Sequence, residues 1–254
     1  MNYSLSNIPK RSKKPRNDGL TMVIDKGSSI RQCKDLIESS GKFIDLVKFG
    51  WSTSFLTNNL KKKIELFTKA NISVYFGGTL FEAFLIRDQL DQYIKVLKKF
   101  NLKYAEVSDG SITISHRKKC ECIEKLSKYV TVISEVGSKD IKKIIPPYKW
   151  IRQMRAELLA GSWKVIGEAR DSGNVGLFRQ SGEVRQGLVE EILTEIPSEK
   201  IIWEAPLKAQ QVWFVQLSGA NVNLGNISGN EVISLETIRL GLRGDTFHQF
   251  LVKD

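Results

Sequence analysis

Residues 103–135 read KYAEVSDGSITISHRKKCECIEKLSKYVTVISE. A β-rich run, Lys103–Ser108, leads into a segment of helical periodicity, Ser115–Lys128, and then into a second β-rich run, Val130–Glu135. Strand, helix and strand in that order predict a parallel pair, because parallel strands need a crossover connection. The alternation continues in both directions. Further β-rich runs lie at Leu20–Lys26, Ile44–Gly50, Ile72–Gly77, Lys164–Ala169, Ile201–Ala205 and Asn221–Asn226. Helix-like segments such as Thr57–Ala70, Phe81–Phe100 and Glu183–Thr194 separate them. Eight such units in 254 residues predict an α/β chain closed into a single (β/α)8 TIM barrel. An open doubly wound sheet is the alternative, but no Gly-x-Gly-x-x-Gly follows the first run, which argues against its dinucleotide-binding version.

No internal linker is visible. Residues 1–18 form a basic N-terminal segment whose start is expected to be poorly ordered, and residues 19–254 form the barrel domain. Pro146–Pro147 is placed to open the helix after the fifth strand. Residues 170–182 carry Gly173, Gly176 and Gly182 without periodicity and predict a long loop, a common form for a lid.

No apolar stretch approaches the roughly 20 residues a membrane helix needs. The N-terminus, MNYSLSNIPKRSKKPR, lacks the apolar core of a secretory signal. Cys33, Cys120 and Cys122 are too few for a disulfide framework and fit a reduced cytoplasm. The formal charge is +11. Part of it lies in Lys10, Arg11, Lys13, Lys14 and Arg16, and part in the runs Lys61–Lys63 and Lys118–Lys119, which read as outward faces of helices. No zinc-finger, RRM-like or helix-turn-helix signature supports nucleic acid as a partner.

The strand ends carry the chemistry. Asp25 and Lys26 close the first run, Lys48 the second, Gly77-Gly78-Thr79 the third and Asp109 follows the fourth. Glu135 and Lys139 end the fifth unit, Glu168 and Arg170 the sixth, Glu204 the seventh, and Asn223 and Asn226 the eighth. Charges inside apolar strands are costly to bury unless paired or metal-bound. Their concentration at C-terminal ends, where barrels build active sites, predicts an active site there. Glu135, Glu168 and Glu204, with Asp109, offer oxygen ligands for Mg2+. Lys26, Lys48, Lys139 and Arg170 can bind an anion or move a proton. The turns at Gly77–Thr79 and Asn226–Gly229 can present backbone N–H groups to phosphate, although a tight strand-to-helix turn explains each glycine equally well. His116, in a helical segment, and His248, near the C-terminus, read as surface residues, and no Ser-His-Asp set is present. These features predict a magnesium-assisted enzyme acting on an anionic, phosphorylated small acid.

The chain also resembles the phosphosulfolactate synthases. The segments that carry the resemblance run in order from Lys14-Pro15-Arg16 and Gly19–Gly27, through Val47–Trp51, Phe76–Glu82, Glu106–Gly110, Ser134–Gly137 and Glu168-Ala169-Arg170. They continue to Glu204-Ala205-Pro206, Asn221–Leu224, Leu235-Glu236-Thr237 and Gly241-Leu242-Arg243. The resemblance implies a (β/α)8 barrel that adds sulfite to phosphoenolpyruvate with Mg2+ to give (2R)-phospho-3-sulfolactate, a step that begins coenzyme M biosynthesis in archaea. It implies Lys139 as the acid that protonates C2, with Lys48 as second candidate and Asp25 as a further catalytic residue. Lys26, Arg170, Gly78, Asn223 and Asn226 are implied for the substrate's anionic groups. A homo-oligomer is expected. Leu159, in Glu157-Leu158-Leu159-Ala160-Gly161, replaces an acid common in that family, and Trp163 and Arg179 also depart from it. These departures leave room for a rival: a diverged relative, of the plant heat-stress-associated kind, acting through protein contacts.

Overall fold

The computed structural model describes residues 2–138, 145–170 and 172–251. Eight parallel strands alternate with helices: β1 Thr21–Asp25, β2 Leu46–Phe49, β3 Ser73–Phe76, β4 Tyr104–Val107, β5 Thr131–Val136, β6 Ser162–Gly167, β7 Ile201–Glu204 and β8 Leu224–Ile227. Hydrogen-bonded neighbours run from β3 through β2, β1, β8, β7, β6 and β5 to β4. β3 and β4 then pack side by side, which makes a nearly closed barrel. The fold is the (β/α)8 barrel expected from the alternation.

The helices among the described residues are α1 Ile30–Ser40, α2 Leu60–Lys69, α3 Gly78–Leu85, α4 Leu90–Lys99, α5 His116–Ser127, α6 Pro147–Leu159, α7 Gln186–Glu195, α8 Lys208–Ser218 and α9 Val232–Arg239. Pro147 opens α6, where its missing N–H costs nothing. The segment Phe81–Phe100, read as one helical stretch, is two helices. The chain turns between them at Asp88, whose φ is +53°, a conformation no α-helix continues through. No helix among the described residues is long and apolar enough to cross a membrane.

The strand period of two divides the sheet. One set of side chains packs outward beneath the helices, with Phe49, Phe67, Trp150, Trp203 and Phe214 in that layer. The other set fills the barrel: Leu20, Met22, Leu46, Tyr75, Ile133, Ile166 and Ile202 form a separate buried cluster. Each large apolar side chain buried in this way stabilises the fold by about 1.5–3 kcal/mol.

The N-terminal segment docks at the amino-terminal mouth. Arg16 pairs with Asp45 at 2.8 Å and Arg11 with Glu236 at 2.8 Å. Lys164 reaches down from β6 to the Asn17 carbonyl at 2.6 Å. Burial, aided by nearby Lys200, lowers its pKa to about 8.

Two lysines leave the pattern read for them. Lys61, Lys62 and Lys118 are exposed, as outward helix faces require. Lys63 and Lys119 are each only 1% exposed. Lys63 lies three residues after Leu60, one before Ile64 and four before Phe67, and so falls on the stripe that faces the barrel. Lys119 lies three residues before Cys122, four before Ile123 and seven before Leu126, and so falls on the corresponding stripe of its own helix.

Candidate active site

Two residues beyond the barrel's apolar layer, towards the C-terminal ends, the inward positions turn polar. Leu46 is followed by Lys48, Tyr104 by Glu106, Ile133 by Glu135, Ile166 by Glu168 and Ile202 by Glu204. The alternation of strand side chains sends all five into one space. They line a cavity of 460 Å3 together with Gly77, Gly78, Thr79, Ser111, Arg170, Ser172, Asn226 and Trp51. Two strand exits turn through left-handed non-glycine residues, Trp51 (φ +53°) and Arg170 (φ +51°), and Asn226 (φ +55°) takes the same conformation near the end of β8. Such conformations cost energy and persist where surrounding structure imposes them, commonly at functional sites.

Lys48 is the hub. Its Nζ lies 2.9 Å from Glu204 Oε1, 3.3 Å from Glu106 Oε2 and 3.8 Å from Glu135 Oε2. Burial works against its charge, but Glu106, Glu204 and Glu135 outweigh burial and raise its pKa well above the usual lysine value. Glu106 and Glu204 are themselves pushed up, first by burial and then by repulsion from Glu135, with Lys48 opposing. Among the described residues, the buried floor gathers Glu106, Glu135, Glu168 and Glu204 beside the Lys48 ammonium. Oxygens of Glu135, Glu168 and Glu204 lie within 4.8 Å of one another. An all-oxygen, anionic and convergent donor set of this kind suits a hard divalent cation.

The structure brings Lys48, Gly78, Glu135, Glu168, Arg170, Glu204 and Asn226 together. Lys26 is exposed at the rim, its ammonium 4.7 Å from the centre of the Trp51 ring. Three residues lie apart from the cavity. Asp25 is turned outward, where its carboxylate binds Lys63 Nζ at 2.8 Å and accepts from the Gly27 and Ser28 amides. Asp109 pairs with Lys119 at 2.9 Å and does not join the three glutamates. Asn223 precedes β8 and so sits at the opposite mouth, accepting from the Leu20 amide and donating to the Ile201 carbonyl. Lys139 lies outside the described residues.

Glu106 was not among the residues singled out from sequence. Its signal was the period of two: it follows Tyr104 as Lys48 follows Leu46. It also claims the Gly78 amide, which donates to Glu106 Oε1 at 2.6 Å. The amide expected to face phosphate is thus engaged by a protein carboxylate. His116 is not a plain surface residue either, since its Nε2 lies 3.1 Å from buried Glu157. His248 is exposed. Leu159, at the end of α6, is 89% exposed, so that departure alters the outer surface.

Residues 172–182 fold back over β6. Leu177 donates to the Glu168 carbonyl at 3.0 Å, and Gly176 (φ +64°) makes the approach possible. A Cβ at Gly176 would sit 2.1 Å from the Glu168 carbonyl oxygen. Gly176→Ala is therefore expected to cost about 1–3 kcal/mol, as a strained left-handed position does, and to displace Glu168. Thermal unfolding measures the cost.

Residues 9–245 match the family model described as (2R)-phospho-3-sulfolactate synthase. The chain is 40% identical over 244 residues to the phosphosulfolactate synthase of Methanothermobacter thermautotrophicus, covering 94% of this chain and 95% of that one. It is 39% identical over 250 residues to the Bacillus subtilis phosphosulfolactate synthase, covering 97% and 99%. Among solved structures, the fold is similar to 3-hexulose-6-phosphate synthase from Salmonella typhimurium, with a TM-score of 0.58 at 13% identity over 88% of this chain and all of that one. At that identity the likeness concerns the barrel alone.

Proposed function

The chain belongs to the phosphosulfolactate synthase family of lyases, and from that premise we propose that it joins sulfite to phosphoenolpyruvate with a divalent cation, Mg2+, to give (2R)-phospho-3-sulfolactate. The observation that carries this reading is the buried floor of the cavity, where Lys48 stands among four glutamates, three of them convergent.

The sulfur lone pair attacks C3 of the enol phosphate. The C2=C3 electron pair moves towards the substrate carboxylate, and C2 then takes a proton. Glu135, Glu168 and Glu204 are the residues suited to hold the cation. When bound, it supplies positive charge against which the developing carboxylate dianion is stabilised. Lys48 adds a fixed positive charge at the floor, already ionised and already desolvated. Arg170 lines the same cavity from its rim and can take the phosphate or the sulfite. The proton at C2 is assigned to Lys139 on the family resemblance, with Lys48 as the second candidate. Delivery from one face gives a single configuration.

The test is incubation of the purified protein with phosphoenolpyruvate, sulfite and Mg2+. Loss of phosphoenolpyruvate, with appearance of an adduct of the expected mass, is the predicted result, and a chelator should stop it. No consumption in the presence of Mg2+ would overturn the reading. Lys139→Ala is expected to remove turnover, by at least about 100-fold as for loss of a general acid, with an unchanged melting temperature. Near-normal turnover would take Lys139 out of the mechanism.

A further inference from the structure

We propose that Glu106 is a positioning residue for Lys48: one oxygen of its carboxylate is tied to the Gly78 amide and the other holds the Lys48 ammonium, which keeps Lys48 in the cavity when a divalent cation occupies the Glu135, Glu168 and Glu204 site. The proposal rests on the metal reading above and deepens it.

Three carboxylates reach the ammonium: Glu204 at 2.9 Å, Glu106 at 3.3 Å and Glu135 at 3.8 Å. Two of these, Glu204 and Glu135, belong to the convergent set. A dication held by that set would compete with Lys48 for Glu204 and Glu135, and its charge would oppose the ammonium beside it. Glu106 is the partner that remains. Its geometry suits retention. The Gly78 N–H, at the first residue of α3, fixes Oε1 at 2.6 Å and leaves Oε2 turned to Lys48. Both side chains are nearly fully buried, at 2% and 7% exposure, so neither swings out to water. A Cβ at Gly78 would meet Ser108 first, 2.1 Å from its Oγ, and Glu106 Oε1 at 3.0 Å, so glycine leaves room for both side chains against the helix start. Glu106 thereby acts through Lys48, and Lys48 through its charge.

The experiment is a calorimetric titration of Mn2+, as a stand-in for Mg2+, into the wild type, Glu106→Gln, Lys48→Met and the double variant. Glu106→Gln keeps an oxygen that accepts from Gly78 but loses the charge that holds Lys48. The freed ammonium then competes with the metal for Glu204. Mn2+ affinity is expected to fall about tenfold in the wild-type background, a typical size for coupling between sites. In the Lys48→Met background the same change is expected to matter less than about twofold, the limit for uncoupled changes. Equal losses in both backgrounds would mean that Glu106 acts on the metal by its own charge, and would overturn the proposal. An unchanged affinity in Glu106→Gln would overturn it as well. A wild type that binds no Mn2+ removes the metal reading itself and this proposal with it. Should Lys48→Met fail to fold, as a thermal melt reports, Lys48→Gln replaces it. Glu106→Asp supplies a second arm. It keeps the charge but is a methylene too short to span Gly78 and Lys48, so its Mn2+ affinity should also fall, and wild-type affinity there would refute the bridging role.

Discussion

Lys48→Met is expected to lose about 3–5 kcal/mol of stability, as a broken buried ion pair does, and kcat should fall by at least about 100-fold, as when a positioned charge donor is removed. The ammonium is 7% exposed and sits between Glu204, Glu106 and Glu135, whose side chains are 1%, 2% and 4% exposed. A surface pair of the same geometry would be worth about 0–1 kcal/mol, because water replaces the lost partner. Water does not reach these carboxylates in that way, and methionine offers them nothing. The two losses can be separated. A divalent cation at 100 times its dissociation constant returns about 2.7 kcal/mol by mass action. Saturating Mg2+ should therefore raise the melting temperature of Lys48→Met towards that of the wild type. Turnover should stay low, because the fixed charge that meets the substrate is still missing. Recovery of turnover together with stability would reduce Lys48 to a structural counter-ion. Chemical denaturation with and without Mg2+, alongside turnover under the same conditions, decides between the two outcomes.

The barrel was legible because its signal is repeated. Eight β-rich runs alternate with helical segments, and each strand end was placed to within a few residues. The floor of the site was legible for a related reason: Lys48, Glu135, Glu168 and Glu204 are charges inside apolar strands, and burial makes such charges costly without a purpose. Glu106 has the same signature. Asp109, three residues further along the same segment, is a second acid at the same strand end and reads alike in sequence. Asp25 and Asp109 read as site residues because an acid at a strand end looks the same in sequence whether it turns in or out. Their partners decide the direction. Lys63 and Lys119 draw the two aspartates outward, between barrel and helices. Both lysines stood in runs that looked solvated, yet each occupies an apolar stripe position. The stripe was readable, but the pairing was not, since it joins residues 38 apart in one case and 10 in the other.

That pairing gives the last prediction. Lys119→Met is expected to destabilise the protein by about 3–5 kcal/mol, again the range for an orphaned buried charge. Lys119 Nζ sits 2.9 Å from Glu157, 2.9 Å from Asp109 and 2.5 Å from the Glu135 carbonyl. Burial opposes its charge, but Glu157 and Asp109 prevail and raise its pKa above the ordinary lysine value. A folded-state pKa above the unfolded value means stabilisation present at every pH below the unfolded pKa, so the whole effect is present at neutrality. The Glu157 carboxylate is fully buried and Asp109 is 23% exposed, so removal of the cation falls mainly on Glu157. Asp109→Asn should then cost about 1 kcal/mol or less, near the value of a partly exposed pair. Lys119→Met combined with Glu157→Gln should recover about 1–3 kcal/mol relative to Lys119→Met alone, because the buried carboxylate, left with only the His116 ring nitrogen at 3.1 Å, is no longer charged. Urea denaturation of the four proteins measures this cycle. Additive losses would show that Lys119 and Glu157 are not one unit. The link to the Glu135 carbonyl gives the network a functional consequence. Lys119 joins the loop after β4, the helix α6 and the end of β5, so its loss should also slacken the strand end from which Glu135 enters the cavity.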